Sequence, residues 1–183
     1  MLVWLNGPFG GGKTTTATLL HQQLPGSIIT DPEEVGFLLR ASLGDHPTRQ
    51  PDFQNYPMWR TLVAAVCTEL DRHTRSSVIA PMTLLRREYA DEIFDAVGKA
   101  GVEVHHLLLH AEPEAVRGRI ESSMEFPGDE VRSEKVRAFR RRKLADYEDA
   151  YATWLRERAE VIDTTWLTPE QVADRVLALL PRP

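Results

Sequence analysis

Gly7-Pro8-Phe9-Gly10-Gly11-Gly12-Lys13-Thr14 has the residue types, at the spacing G-x-x-x-x-G-K-[ST], that grip a chain of phosphates. Successive backbone amides of such a loop form a concave nest for an anion. Its glycines reach positive φ and keep side chains out of the way. A following helix adds unpaired amides and the positive end of its dipole. In this chemistry Lys13 reaches the β and γ phosphates and the Thr14 hydroxyl ligates Mg2+. Gly7, Phe9, Gly10, Gly11, Gly12, Lys13, Thr14 and Thr15 are the candidate nucleotide-binding residues, with ATP and Mg2+ as the implied cofactors. A dinucleotide fingerprint, G-x-G-x-x-G, does not fit. Begun at Gly7 it meets Phe9 where glycine is required, and begun at Gly10 it meets Thr15.

The elements that must position this loop are legible on both sides of it. Leu2-Val3-Trp4-Leu5 predicts a buried parallel strand. From Thr14 onward, Ala17, Leu20 and Leu24 recur at helical spacing. A second strand is predicted over 27–30. It ends at Asp31-Pro32, where Asp31 can N-cap a helix over 33–42. Residues 44–57 carry three prolines and two aromatics and read as a long loop, a kind of segment that is often functional. Further helices are predicted over 56–73, 86–99, 112–122 and 133–159, and from Pro169 with Thr168 as N-cap. Further strands are predicted over 77–81, 102–109 and 161–162. The 56–73 helix has an apolar stripe of Trp59, Leu62, Val63, Val66, Cys67 and Leu70, and Cys67 on that stripe reads as packing. Alternating strands and helices imply an α/β fold with a parallel sheet covered on both faces and right-handed crossovers. Ligands then lie at the carboxyl ends of the strands. That gathers the phosphate loop, Asp31, residues 81–83 and the loop after His110 around one cleft.

The bulk numbers fit one domain over 1–183: 42% hydrophobic and 27% charged residues are ordinary for a globular protein. A net charge of −5, from 27 acids against 22 bases, argues against a general nucleic-acid or anionic-membrane binder. A single cysteine makes no internal disulfide. Met1 runs almost directly into the first strand, which leaves no room for a signal peptide, and no apolar run has the length of a membrane span. These features point to a cytoplasmic protein.

The chain resembles small P-loop kinases of the nucleoside, nucleotide and shikimate kinase type. More narrowly it resembles the bacterial tunicamycin-resistance proteins. The resemblance is carried by residues 4–14, by Asp31-Pro32-Glu33 with Gly36-Phe37, by Asp52-Phe53-Gln54-Asn55-Tyr56-Pro57-Met58-Trp59-Arg60 and by Pro81-Met82-Thr83. The second half matches more loosely, over 109–120 and at Ile162-Asp163-Thr164. The resemblance implies a three-layer P-loop NTPase fold with a five-stranded parallel sheet of order 2-3-1-4-5. It also implies ATP binding and protection against tunicamycin, a nucleoside antibiotic carrying uracil and a fatty acyl chain. The family can carry a longer C-terminal region that touches the membrane. Here the sequence runs out at Leu180-Pro181-Arg182-Pro183 with no basic amphipathic extension, which weighs against membrane association.

The remaining chemistry-bearing residues follow from that frame. Phosphoryl transfer needs positioning, charge neutralisation and a group that orients the nucleophile. Lys13 and the loop amides serve the first two. Asp31 is the candidate base for a substrate hydroxyl, as well as a helix cap and a possible Mg2+ ligand. Residues 80–83, Ala-Pro-Met-Thr, lack the carboxylate expected at the end of the third strand. The resemblance puts an arginine on the nucleotide near the end of the 112–122 helix, and Arg119 matches it better than Arg117. A second arginine four residues on would be usual, and Ser123 stands there. Residues 120–143 are expected to be lid-like, with Arg132 to Lys143 either closing over phosphates or forming a solvated face paired with Asp146, Glu148 and Asp149. Phe53, Gln54, Tyr56, Arg60 and Thr83, with Asp31, are the candidate substrate-binding residues. Aromatics stack on bases and Gln54 could read a uracil edge, though Trp59 on the apolar stripe reads as core. Asp163 and Thr164 are expected to flank the adenine. His105 and His106, adjacent on a strand, point to opposite faces and cannot share a metal, and His110 reads as a cleft-edge residue. The reading is an ATP-dependent phosphotransferase acting on a nucleoside-like small molecule. Capture of the drug without turnover, and a kinase of an ordinary metabolite, are the alternatives.

Overall fold

Five short apolar segments pair into one all-parallel sheet. In the computed structural model, which describes residues 1–181, β1 (Leu2–Asn6), β2 (Ile28–Ile29), β3 (Val78–Pro81), β4 (Val104–His110) and β5 (Glu160–Asp163) lie in the order β2-β3-β1-β4-β5. This is the α/β sheet of order 2-3-1-4-5 that the sequence led us to expect. The central strand is β1, with Leu2 opposite both Val78 of β3 and Val104 of β4, and it is buried along its whole length.

The period of two along β1 sorts the helices into layers. Val3 and Leu5 pack with Ala17 and Leu20 of α1 (Lys13–Gln23) and with Val172 and Val176 of α8 (Pro169–Leu179). Leu2 and Trp4 face the other way. They pack with α3 (Pro57–Thr74), α4 (Arg87–Lys99) and α6 (Glu130–Ala150). Two further helices, α2 (Pro32–Leu43) and α5 (Pro113–Ser122), follow β2 and β4. Helix starts lie where the capping residues put them. Asp31 accepts from the Glu33 N–H at 2.9 Å, and Thr168 forms a reciprocal capping box with Gln171.

Three elements differ from their sequence reading. In α3 the core face is Trp59, Val63 and Cys67, whereas Leu62 and Val66 are 39% and 37% exposed. The helix is rolled so that Arg60, Ala64 and Thr68 are buried instead. The 44–57 loop tightens into a 3-10 turn at Phe53–Asn55, capped by Asp52. The long 133–159 helix starts earlier, at Glu130, and changes to a π-helical turn at Tyr151–Leu155 before a last α-helical turn, α7 (Arg156–Arg158). The wide turn lies where Tyr151 stacks on His110 at 4.0 Å and Trp154 Nε1 donates to the Leu85 carbonyl at 3.0 Å.

Cys67 is 1% exposed, and burial pushes its thiol up to about 12, so it is an inert packing residue. His106 lies against Phe94, with burial lowering its imidazole to about 4. His105 approaches Glu103. Among the described residues no helix is long and apolar enough to cross a membrane. Arg182 and Pro183, part of the C-terminal stretch discussed above, lie outside the described residues.

Gly36 shows how tightly α2 is seated. A Cβ there would lie 2.6 Å from ring carbons of Phe53, which is 8% exposed. Glycine to alanine inside a helix normally stabilises by about 1 kcal/mol. Here overpacking, at about 1–3 kcal/mol, opposes and should exceed that gain. Gly36→Ala is expected to lower the urea midpoint, and a raised midpoint would show that Phe53 yields freely.

Candidate active site

The strand β1 hands the chain to the phosphate loop through a buried amide. Asn6 is fully buried, and its Oδ1 accepts from the N–H of Gly7 at 2.8 Å and of Leu84 at 3.0 Å. Its Nδ2 donates to the Leu84 carbonyl at 2.9 Å and lies 3.1 Å from His106 Nε2. Gly7 follows with φ 149°, and a Cβ on it would sit 2.6 Å from the Leu109 carbonyl oxygen. The Thr83 hydroxyl then donates to the Gly7 carbonyl at 2.8 Å. The loop start is thereby tied to the ends of β3 and β4. Gly12, at φ 85°, turns the chain into α1.

Lys13 Nζ donates to the carbonyls of Gly7 at 3.1 Å and Pro8 at 2.8 Å, with the Phe9 ring centroid 5.5 Å away. Burial pushes this ammonium down to about 7. Glu33 opposes the shift and Arg140 adds to it. Glu33 is thus an acid facing the lysine that the sequence reading did not single out. Its carboxyl is raised by burial and by the neighbouring Asp31, and held back by Lys13 and Arg40. The available signal was its place two residues beyond Asp31, on the first turn of the same helix. Asp31 spends one oxygen on the α2 cap.

On the other side of the loop a cavity of about 200 Å³ runs from Gly10 and Gly12 past Thr15 to Arg119, Thr164 and Leu167. Arg119 Nη2 donates to the Thr164 carbonyl at 2.8 Å, which spreads the guanidinium along one wall. Arg117 instead pairs with Glu114 and Glu148 on the surface. Asp163 accepts from the hydroxyl of Thr165 at 2.6 Å and its N–H at 2.9 Å, bonds that hold its carboxyl below the usual range. It therefore shapes the loop beside the cavity. Thr14 and Thr15 are exposed at the mouth of the loop.

The candidate acceptor residues divide by burial. Phe53 and Tyr56 are 8% and 5% exposed. Phe53 packs on Trp59, and the Tyr56 hydroxyl accepts from the Gln50 N–H. Trp59 is a core residue whose Nε1 donates to the Pro32 carbonyl at 3.0 Å. Arg60 is saturated. It pairs with Glu92, donates to the Gln54 carbonyl at 2.6 Å and lies 4.2 Å over Tyr89. Gln54 Nε2 donates to the Thr83 carbonyl at 2.9 Å, one step from Gly7. His110, at the end of β4, is bonded to the Tyr147 hydroxyl at 2.8 Å.

These residues fit a nucleotide triphosphate with Mg2+. Within the loop the Gly11 N–H donates to the Pro8 carbonyl at 3.0 Å, which leaves the Gly10 and Gly12 amides for an anion. The lysine is satisfied by carbonyls it can leave, and the cavity continues away from the loop to an arginine. Among the described residues no group of three or more His, Cys, Asp or Glu could hold a metal alone. A Mg2+ ion would therefore need phosphate oxygens among its ligands. An anion beside Lys13 restores its proton, so affinity is fully present below the empty-site value of about 7 and is lost as pH rises above it. We expect proton uptake on triphosphate binding at pH 8 and little at pH 6, read by calorimetry in buffers of different ionisation enthalpy. Lys13→Met should abolish the uptake, and a pH-independent affinity in the parent protein would contradict the assignment.

Compared with curated proteins, the sequence matches none. Among solved structures, the tunicamycin resistance protein of Deinococcus radiodurans is 27% identical over 97% of this chain and 93% of that one, with a TM-score of 0.70. The Mycobacterium tuberculosis APS kinase, solved with AMPPNP and APS, is 16% identical over 97% and 95%, with a TM-score of 0.65. A shikimate kinase from Bacteroides thetaiotaomicron is 15% identical over 98% and 97%, with a TM-score of 0.59. The last two bear on the fold alone. A family model described as AAA domain matches residues 2–143, most of the chain, including the phosphate loop, the Asp31 cap and α5. The protein belongs to this AAA-domain family and has the P-loop kinase-like fold.

Proposed function

We propose that the protein is a Mg·ATP-dependent small-molecule phosphotransferase whose acceptor is a nucleoside-like antibiotic of the tunicamycin type. The observation that carries the reading is the arrangement around Lys13. A phosphate nest and an arginine-walled cavity lie on one side, and two acids, Asp31 and Glu33, stand at the start of α2 on the other. The 27% identity to a resistance protein over nearly the whole chain supports the substrate class.

Bound Mg·ATP supplies the phosphoryl group and a metal charge that neutralises it. The chain's own residues do the rest. The amides of Gly10 and Gly12, with Lys13, hold the phosphates, and Arg119 lines the cavity for the base. Asp31 keeps one oxygen for the cap and the other for the acceptor hydroxyl or the metal. Glu33, whose carboxyl is raised by burial and by Asp31, shares that edge. Gln54, Thr83 and the Phe53–Tyr56 support form the acceptor wall, with Arg60 fixing Gln54 from behind. Residues 120–143 act as the lid of one 1–183 domain.

Incubation with Mg·ATP and tunicamycin, followed by mass analysis, should give the drug plus one phosphate. Asp31→Ala should retain ATP affinity and lose about 10²- to 10⁴-fold in turnover, the usual worth of a positioned base. A tight drug complex with no product would favour the capture reading, and product formed only from ordinary nucleosides would favour a metabolite kinase.

A further inference from the structure

His106 stands beside the amide that seats the phosphate loop. In the parallel ladder it is opposite Trp4, so its partly buried ring shares the sheet face of Trp4 and Asn6. Phe94 and Trp154 flank the ring, with centroids 4.8 and 6.2 Å away. Its Nε2 lies 3.1 Å from Asn6 Nδ2. Hydrogen-bond chemistry decides which atom carries which proton. Asn6 Oδ1 faces two backbone donors, the N–H groups of Gly7 and Leu84, and only the amide oxygen can accept from both. The amide nitrogen is therefore the atom turned to the Leu84 carbonyl and to His106. It has one hydrogen for each, so Nε2 is a bare acceptor and the neutral ring carries its proton on Nδ1. The ring also bonds the backbone of Arg158, a contact that favours the protonated imidazole and is thus one the ring donates. Turned over, the amide would set its own N–H groups against those of Gly7 and Leu84, in a residue with no exposed surface.

We propose that His106 is a positioning residue for the phosphate loop: its Nε2 accepts from Asn6, fixes the amide in the orientation that serves Gly7 and Leu84, and so holds the loop in register with the acceptor segment 82–85. That segment is pinned at every residue by a side chain from another element. Trp4 Nε1 donates to the Met82 carbonyl at 3.1 Å, Gln54 Nε2 to that of Thr83, Asn6 Nδ2 to that of Leu84, and Trp154 Nε1 to that of Leu85. Asn6 bonds Gly7 as well, so one amide joins the first residue of the phosphate loop to the acceptor side of the cleft. The terminal torsion of an asparagine is broad and roughly two-fold, so its setting depends on the partners around it. Without an acceptor at Nε2, a buried N–H is left unmet, and the amide can relieve it only by turning away from Gly7 and Leu84 together.

For its effect on binding the proposal rests on the nucleotide reading; its effect on the loop is read without ligand. Nitrogen-15 NMR of the histidine-labelled parent at pH 7 should show the His106 proton on Nδ1, and a proton on Nε2 would overturn the assignment even where a variant does not fold. His106→Phe keeps a ring against Phe94 and removes the acceptor. Amide hydrogen exchange at Gly7 and Leu84 should then quicken about tenfold, the worth of one hydrogen bond, while Leu107 and Leu108 in the body of β4 keep their rates. Calorimetry should show Mg·AMPPNP weakened about tenfold on the folded variant. His106→Gln, whose Oε1 can stand where Nε2 stood, should restore most of both losses. Faster exchange spread evenly over the sheet, or losses that His106→Gln leaves in place, would mark a merely structural residue and overturn the assignment. A parent protein that binds no Mg·AMPPNP overturns the nucleotide reading, and the tautomer and exchange results still decide what His106 does to the loop. Tight Mg·AMPPNP binding unmoved by His106→Phe overturns this assignment alone.

Discussion

Everything at the phosphate loop depends on one side-chain amide standing in for a stretch of sheet. At Asn6 the β1 strand stops, and the next two residues must leave the sheet without leaving their polar groups unpaired in a buried place. Asn6 supplies both an acceptor and a donor to backbone that strand pairing no longer serves. An unmet buried donor costs about 1–3 kcal/mol, so this one residue decides whether the loop can be seated at all. Gly7 then passes so close to the Leu109 carbonyl that no side chain is tolerated. The anion nest is therefore rigid because its first two residues have nowhere else to go.

The electrostatics of the loop follow from that rigidity. Lys13 is pinned over carbonyls of its own loop, partly desolvated and close to a second cation, and its proton is loosely held. On the opposite edge burial and the neighbouring Asp31 raise the Glu33 carboxyl. Each group is uncomfortable in its charged form for lack of a partner that an anionic phosphate with a metal would provide. This is preorganisation in the electrostatic sense: the folded chain holds the unfavourable arrangement in advance, and ligand binding relieves it.

The fold and the loop were legible in the sequence because they rest on local rules. Short apolar runs gave the strands, the cap residues Asp31 and Thr168 gave helix starts, and glycine spacing gave the nest. What was not legible depends on how helices roll and meet. The apolar stripe of α3 could not reveal that Leu62 and Val66 face outward, because that is decided by how α3 packs on its neighbours. The aromatics at 53, 56 and 59 have the composition of a stacking pocket and of a core alike. Burial against Gly36 and Pro32 distinguishes them only in three dimensions. Glu33 escaped notice for a related reason: it is a routine acid in a first helical turn, and only folding brings it to Lys13.

The wide turn at Tyr151–Leu155 carries an implication for how such chains can diverge in length. It accommodates one more residue than regular winding would, and regular winding advances about 100° per residue. A one-residue deletion there would restore regular winding and leave Phe139 in phase with Trp154 and Leu155, disturbing only the turn's own contacts, Tyr151 on His110 among them. Single-residue length changes in related chains should therefore be tolerated at this turn as well as in the 124–129 connection, where the path is already irregular.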